Sequence, residues 1–162
     1  MIGDARCWRF IGNKFYPMLL SRYSDNSVRL LMHLALKNEG YVTVGQAADQ
    51  GGMSRNHLMK ISQHLSRLGY INTVRGKGGG MQLAQDPETI LLGDLIGKTE
   101  PTLEIIRCER AECPVTGSCI FKTILLEARD RFIETLNKHS LADITANSAQ
   151  LKAFLKLTPQ SP

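Results

Sequence analysis

Three stretches of the chain are predicted to be helices; the first and third carry apolar residues at three- and four-residue spacing, and Gly51-Gly52 ends the second. These stretches cover 24–37, 45–50 and 54–68. Ser24 and Ser54 stand where N-cap residues are expected. The third helix has one apolar face, and its opposite face is basic and rich in amides. That opposite face consists of Arg55, Asn56, His57, Lys60, Gln63, His64 and Arg67.

The third helix is followed by a pattern typical of a β-hairpin. Aromatic and β-branched residues over 70–74 predict a strand, the glycine-rich segment 75–80 predicts a turn, and 81–84 predicts a second short strand. Helix, turn, helix and hairpin in this order describe a winged helix-turn-helix. We therefore predict a mostly α fold with a small β-hairpin wing, in which residues 18–98 form the DNA-binding domain.

The C-terminal part of the chain contains the most regular amphipathic helix. After a short helix predicted over 89–98, the residues over 120–139 place their apolar side chains along one stripe. A stripe this far from the core needs a partner, and most soluble oligomers are symmetric dimers. We predict a dimerisation helix and a terminal helix within 120–157, with packing on its own domain as the alternative. The stripe contains Ile120, Phe121, Ile124, Leu125, Ala128, Phe132, Ile133 and Leu136.

Charge is distributed unevenly along the chain. Residues 22–85 contain eight Lys and Arg against three acids, whereas residues 86–162 contain nine against eleven. The basic excess lies in the winged-helix part, as expected for a module that binds a polyanion. The chain has no run of roughly 18 apolar residues that could span a membrane. Residues 1–17 lack the apolar core of a secretory signal, so we expect a cytoplasmic protein with a poorly ordered N-terminal extension.

The basic helix face predicts contacts with the major groove of DNA. Recognition helices read base edges mainly with their N-terminal residues, so Arg55, Asn56 and His57 are predicted to contact bases. Ser54 and Lys60 are predicted to bind phosphates. Some winged helices serve only in protein contacts, but the local basic excess favours DNA.

The glycine-rich turn predicts a second DNA contact. Arg75 and Lys77 can enter a narrow minor groove or bind its phosphates, and Gly78 and Gly79 allow close approach of the backbone. A nucleotide phosphate loop is disfavoured, because the segment lacks Walker spacing and leads into a strand instead of a helix.

Three cysteines mark a candidate metal site in the loop over 99–119. Cys108, Cys113 and Cys119 are separated by four and then five residues, a spacing that no zinc ribbon or finger uses. Three thiolates in one loop suit a soft metal centre, and an iron-sulfur cluster is favoured. A zinc site with a histidine ligand and a thiol-based redox switch are the alternatives. Cys7 lies away from the other three and is treated as incidental.

Three segments of the chain resemble a known family. YSDNSVRLLM over 23–32, MSRNHLMKI over 53–61 and VRGKGGGM over 74–81 are similar to the nitric-oxide-sensing NsrR branch of the Rrf family of winged-helix regulators, which also includes IscR. The resemblance spans about 18–156. The four-then-five cysteine spacing also resembles the NsrR branch, whereas the start of the chain over 1–17 and Asn26-Ser27 depart from its pattern.

The resemblance implies a transcriptional repressor and not an enzyme. It implies a homodimer that binds palindromic promoter DNA while an iron-sulfur cluster is intact, and that releases the DNA after nitric oxide attacks the cluster. A 4Fe-4S cluster is implied, with 2Fe-2S as the alternative. Its ligands would be Cys108, Cys113 and Cys119, together with Asp25 of the opposite subunit. A cluster-status or general redox regulator, an electron-transfer protein and a zinc-stabilised DNA binder are the rival interpretations.

Overall fold

A computed structural model of the protein describes residues 19–37, 40–106, 118–147 and 151. The predicted N-terminal extension and Cys7, Cys108 and Cys113 lie outside these residues. The predicted fold class is confirmed, because the described residues form helices and a single two-stranded hairpin. The helices are α1 (Arg22–Leu36), α2 (Val44–Gly51), α3 (Arg55–Arg67), α4 (Leu92–Thr99), α5 (Ile120–Leu136) and α6 (Leu141–Thr145), with strands β1 (Ile71–Val74) and β2 (Gly80–Leu83) and a 3-10 turn over Pro87–Thr89.

Helix α1 begins three residues earlier than predicted, because its N-cap is Ser21 and not Ser24. The expected cap, Ser24, lies inside the first turn and is fully buried. Ser21 is the N-cap instead, and its Oγ accepts a hydrogen bond from the Ser24 backbone N–H at 3.2 Å. Helix α2 is capped more completely, since Thr43 and Gln46 form a reciprocal capping box.

One apolar core holds α1, α2, α3 and the hairpin together. Leu30 and Leu31 of α1 are fully buried in it with Leu58 and Leu65 of α3. Full burial of such a side chain contributes roughly 1.5–3 kcal/mol. The same packing therefore fixes the positions of both α1 and α3.

Strand β2 of the wing is attached to the connector between α1 and α2. Strands β1 and β2 pair in antiparallel register from Ile71 with Leu83 to Val74 with Gly80. The Val42 backbone N–H donates to the Met81 carbonyl at 2.9 Å, and the reverse bond measures 2.8 Å. Strand β2 is thus anchored to the core, while residues 72–78 of the hairpin are exposed.

Helix α4 connects the winged-helix core to the end of α5. Gly93 is buried against α5, and a Cβ at this position would overlap Asn137 and the Ile133 carbonyl. The Asp94 backbone N–H donates to Asn137 Oδ1 at 2.8 Å. This close contact holds the C-terminal part of α5 against the core.

Tyr70, Asp94 and Lys98 reinforce the position of α4. The Tyr70 hydroxyl donates to Asp94 Oδ2 at 2.5 Å, and Lys98 Nζ donates to the same oxygen at 2.7 Å. Burial, together with the bond to Asp94, raises the pKa of Tyr70 to about 12. The tyrosine therefore keeps its proton and remains a donor at neutral pH.

None of the described helices combines the length and the hydropathy that a membrane span requires.

His33 is a buried polar residue in α1. Its side chain is 1% exposed, and neither ring nitrogen has a hydrogen-bond partner in the part of the chain that the structure describes. Burial, and to a lesser extent the charge of Lys37, lowers the pKa of His33. The folded protein therefore holds His33 neutral.

We expect His33 to make the fold sensitive to acid. Below an unfolded-state pKa of about 6.5, the unfolded chain binds a proton that the folded chain does not, so the free energy of unfolding falls. His33→Leu should reduce this loss and raise the free energy of unfolding at neutral pH by about 1 kcal/mol, because an unpartnered buried polar group is costly. Urea unfolding of the cluster-free protein at about pH 7.5 and about pH 5.5 tests this. The exposed His57→Gln variant is the control, and identical pH profiles for wild type and His33→Leu would contradict the prediction.

Candidate DNA interface and metal site

The N-terminal half of α3 presents the predicted base-reading residues to solvent. Arg55, Asn56, His57 and Lys60 are exposed, and Ser54 is exposed at the N-cap position. On the opposite side, Leu58, Ile61 and Leu65 are buried. The apolar side thus fixes the helix while the polar side remains accessible.

Arg55 is held by an acid that the sequence pattern did not identify. Its Nη2 donates to both carboxylate oxygens of Asp49, at 3.1 and 2.9 Å. Asp49 lies near the end of α2, and the helix-turn-helix geometry brings it to the first residue of α3. Both side chains are largely exposed, at 64% and 66%, and an exposed ion pair contributes only about 0–1 kcal/mol. The ion pair orients the Arg55 side chain, but its small free energy allows another anion to replace Asp49.

The tip of the wing adopts a backbone that requires glycine. Gly76 and Gly78 have φ values of 100° and 81°, which side chains with a Cβ rarely adopt. A Cβ on Gly79 would overlap the Val74 carbonyl. Arg75 and Lys77 flank these glycines and are exposed. The tip therefore combines two cationic side chains with a glycine backbone that carries no side-chain bulk.

A cleft of about 740 Å³ separates α3 from the wing. Gln63 and Arg67 line it from α3, and Thr73 and Arg75 line it from the hairpin. The sequence analysis placed Gln63 and Arg67 on the polar face of α3 but assigned them no role. Their four-residue spacing along one face was the available signal, and only the position of the hairpin shows that they border a cleft.

Cys119 is the one proposed cysteine ligand among the described residues. It is the N-cap of α5, and its Sγ accepts a hydrogen bond from the Lys122 backbone N–H at 3.4 Å. The side chain is half-buried. Cys108 and Cys113 lie outside the described residues, and the described residues contain no group of three potential metal ligands.

Asp25 lies in the first turn of α1 and faces outward. Its side chain is 59% exposed, and Arg29 Nη1 approaches its Oδ2 at 3.8 Å. The neighbouring Ser24 and Ser27 are fully buried. Asp25 is therefore directed away from its own core.

The described donors fit an iron-sulfur group. Cys119 offers a sulfur that already accepts a backbone N–H, and hydrogen bonds to ligand sulfurs are one means by which proteins tune such clusters. Asp25 offers an exposed carboxylate. The chemistry of this donor set is consistent with the implied cofactor.

An exposed basic helix, a glycine-rich wing and one core that holds both define a winged-helix DNA-binding regulator. The chain belongs to the Rrf2 family. The model of that family, described as iron-dependent transcriptional regulators, matches residues 20–147. Membership implies DNA binding and a regulatory role instead of an enzymatic one.

Two relatives are similar along nearly their whole length. The chain is 37% identical over 144 residues to the HTH-type transcriptional regulator NsrR of Bacillus subtilis (strain 168). This alignment covers 86% of this chain and 99% of that protein. The chain is 38% identical over 146 residues to the NsrR regulator of Halalkalibacterium halodurans, with coverage of 88% and 100%. These matches confirm the resemblance to the NsrR branch.

Solved structures show the same fold. T. potens IscR superposes with a TM-score of 0.66 at 25% identity, covering 82% of this chain and 89% of that chain. CymR, the global cysteine regulator of B. subtilis, superposes with a TM-score of 0.65 at 23% identity, covering 80% of this chain and 98% of that one.

We expect Asp49 to limit the affinity of Arg55 for DNA of arbitrary sequence. In Asp49→Asn, Arg55 loses its anionic partner and can neutralise one more phosphate. The slope of log K against log salt for non-specific DNA should then steepen by about 0.9. Fluorescence anisotropy across a salt series measures this. Glu88→Gln, which removes an exposed acid far from α3 in sequence, is the control. An unchanged slope in Asp49→Asn, or an equal change in both variants, would contradict the prediction.

Proposed function

We propose that this protein is a nitric-oxide-responsive repressor that works in the cytoplasm. It binds palindromic promoter DNA as a homodimer while an iron-sulfur cluster is bound, and it releases the DNA after nitric oxide reacts with the cluster. The observation that carries the proposal is that Asp25 projects from α1, whose other face shares one core with α3. The choice of nitric oxide as the signal comes from the similarity to the NsrR branch.

Cys108, Cys113 and Cys119 of one subunit and Asp25 of the partner would hold the cluster, in 4Fe-4S form with 2Fe-2S as the alternative. A bound cluster would supply iron atoms with which nitric oxide reacts. Asp25 would tie α1 to the opposite subunit in the loaded protein. Without a cluster that restraint would be lost, and the neighbouring charge would be Arg29, whose Nη1 lies 3.8 Å from Asp25 Oδ2. The two states would therefore differ in what restrains the first turn of α1.

Helix α5 supports the proposed homodimer. None of its residues is buried in the single subunit. Ile120, Phe121 and Ile124 are 76%, 59% and 55% exposed, and a contiguous apolar surface of this kind is typical of an interface. In the proposed division of the chain, 18–98 bind DNA, 99–119 hold the cluster and 120–157 form the dimer.

In the proposed complex, each subunit places one α3 in a major groove, and the two helices lie about 34 Å apart. Arg55, Asn56 and His57 contact bases, while Ser54 and Lys60 bind phosphates. The wing tip enters the adjacent minor groove, where its contacts are made by Arg75, Lys77, Gly78 and Gly79. The DNA strand between the two grooves would cross the cleft beside Arg67.

Titration with nitric oxide tests the proposed function. Protein purified without oxygen is analysed for iron, sulfide and zinc, and its binding is measured on a DNA fragment that it selects from a random-sequence pool. The proposal predicts that nitric oxide weakens binding by about 5- to 150-fold, the usual range of allosteric coupling. DNA binding that requires the cluster but is unchanged by nitric oxide would favour a cluster-status regulator. Zinc without iron or sulfide would favour the zinc-stabilised DNA binder.

Mixed dimers test whether Asp25 acts across the interface. One subunit carries Asp25→Ala and the other carries Cys119→Ser. If Asp25 serves the partner's cysteines, one site in the mixed dimer keeps all four ligands, so about half of the wild-type iron should be retained. If Asp25 serves its own subunit, one site lacks Asp25 and the other lacks Cys119. The iron content of the mixed dimer should then equal the mean of the two parent homodimers. Differently tagged subunits, native mass spectrometry and iron analysis give this readout.

A further inference from the structure

A hydrogen-bonded aromatic pair connects α1 to the recognition helix. The Tyr23 hydroxyl oxygen lies 2.9 Å from His64 Nδ1, and the ring centroids are 5.8 Å apart at an interplanar angle of 43°. Both residues are partly buried. His64 therefore faces α1, although the sequence pattern placed it on the outer face of α3 with the DNA-reading residues.

Tyr23 belongs to the same helical turn as Asp25. The Asp25 backbone N–H donates to the Ser21 carbonyl at 3.0 Å, and Ser27 Oγ donates to the Tyr23 carbonyl at 2.8 Å. These bonds join the first turn of α1 to the turn that follows. A displacement of Asp25 would consequently be passed to Tyr23.

His64 lies in the last turn of α3, and the predicted base-reading residues lie in its first turn. His64 lies nine positions after Arg55, which corresponds to roughly 14 Å of helix. A helix of this length moves as a rod, so a small displacement at His64 changes the tilt of the residues that face DNA. A cleft of about 490 Å³ lined by Tyr23, His64 and Arg67 leaves space beside the pair.

The hydrogen bond differs in kind from the apolar packing around it. Apolar contacts such as those of Leu31 and Leu58 are non-directional, so they do not by themselves select one relative orientation of the two helices. A hydrogen bond weakens steeply when its angle or length departs from the preferred range. The Tyr23–His64 bond is therefore sensitive to a small reorientation of α1 relative to α3.

We propose that Tyr23 and His64 are positioning residues that transmit the position of the Asp25 turn to the recognition helix. This inference rests on the proposed function, because Asp25 must be restrained differently in the loaded and cluster-free proteins. Neither residue contacts DNA or the cluster in this account. Their effect is on the ratio of DNA affinities in the two states.

The test is the ratio of dissociation constants for the selected DNA fragment, cluster-free over cluster-loaded, in the full-length dimer. Tyr23→Phe keeps the ring and removes the hydroxyl. We expect the ratio to fall about 3- to 10-fold, the range that one neutral hydrogen bond allows. His64→Leu should lower it equally, and the double variant should lower it no further. His64→Asn, which keeps a polar atom near the position of Nδ1, should retain most of the ratio.

Tyr70→Phe is the matched control, because it removes another hydrogen-bonded tyrosine hydroxyl, the one that donates to Asp94. It should lower thermal stability and leave the ratio unchanged. If Tyr23→Phe weakens both forms by the same factor, the pair is merely structural and the inference is overturned. A wild-type ratio well above one that persists in both Tyr23→Phe and His64→Leu overturns the inference alone. A wild-type ratio of one overturns the proposed function and the inference together.

Discussion

The apolar packing between α1 and α3 is the constraint on which the rest of the structure depends. Leu30 and Leu31 meet Leu58 and Leu65 in one core, where all four side chains are fully buried. Close-packed cores shift between discrete arrangements and do not deform gradually. The helix that carries Asp25 and the helix proposed to face DNA therefore form one mechanical unit, and the wing is attached to the same unit through Val42 and Met81.

Polar contacts at the edges of this unit determine how it can respond. The pair between Arg55 and Asp49 is exposed and weak, so DNA can compete for the arginine. The contact between Tyr23 and His64 is partly buried and directional. Packing thus supplies rigidity, while these few directional contacts supply orientation. Such a division suits a regulator, because its two states need to differ by only a few kcal/mol.

The fold was largely predictable from the sequence, because α1, α3 and α5 are longer than two turns of apolar spacing and Gly52 ends α2. The start of α1 was not, since Ser21 and Ser24 are both plausible caps and only burial distinguishes them. Asp49 and His64 were missed as contributors to the site for a different reason. Their partners lie on other helices, six and 41 residues away, and helical spacing within one element carries no signal for such contacts.

Hydrogen–deuterium exchange on the cluster-loaded and cluster-free dimers tests the central claim most directly, because it reports on both helices in one experiment. If the first turn of α1 and the recognition helix form one unit, loss of the cluster should increase amide exchange in both, with β1 and β2 less affected. An increase confined to the residues around Cys119, with α3 unchanged, would contradict the account.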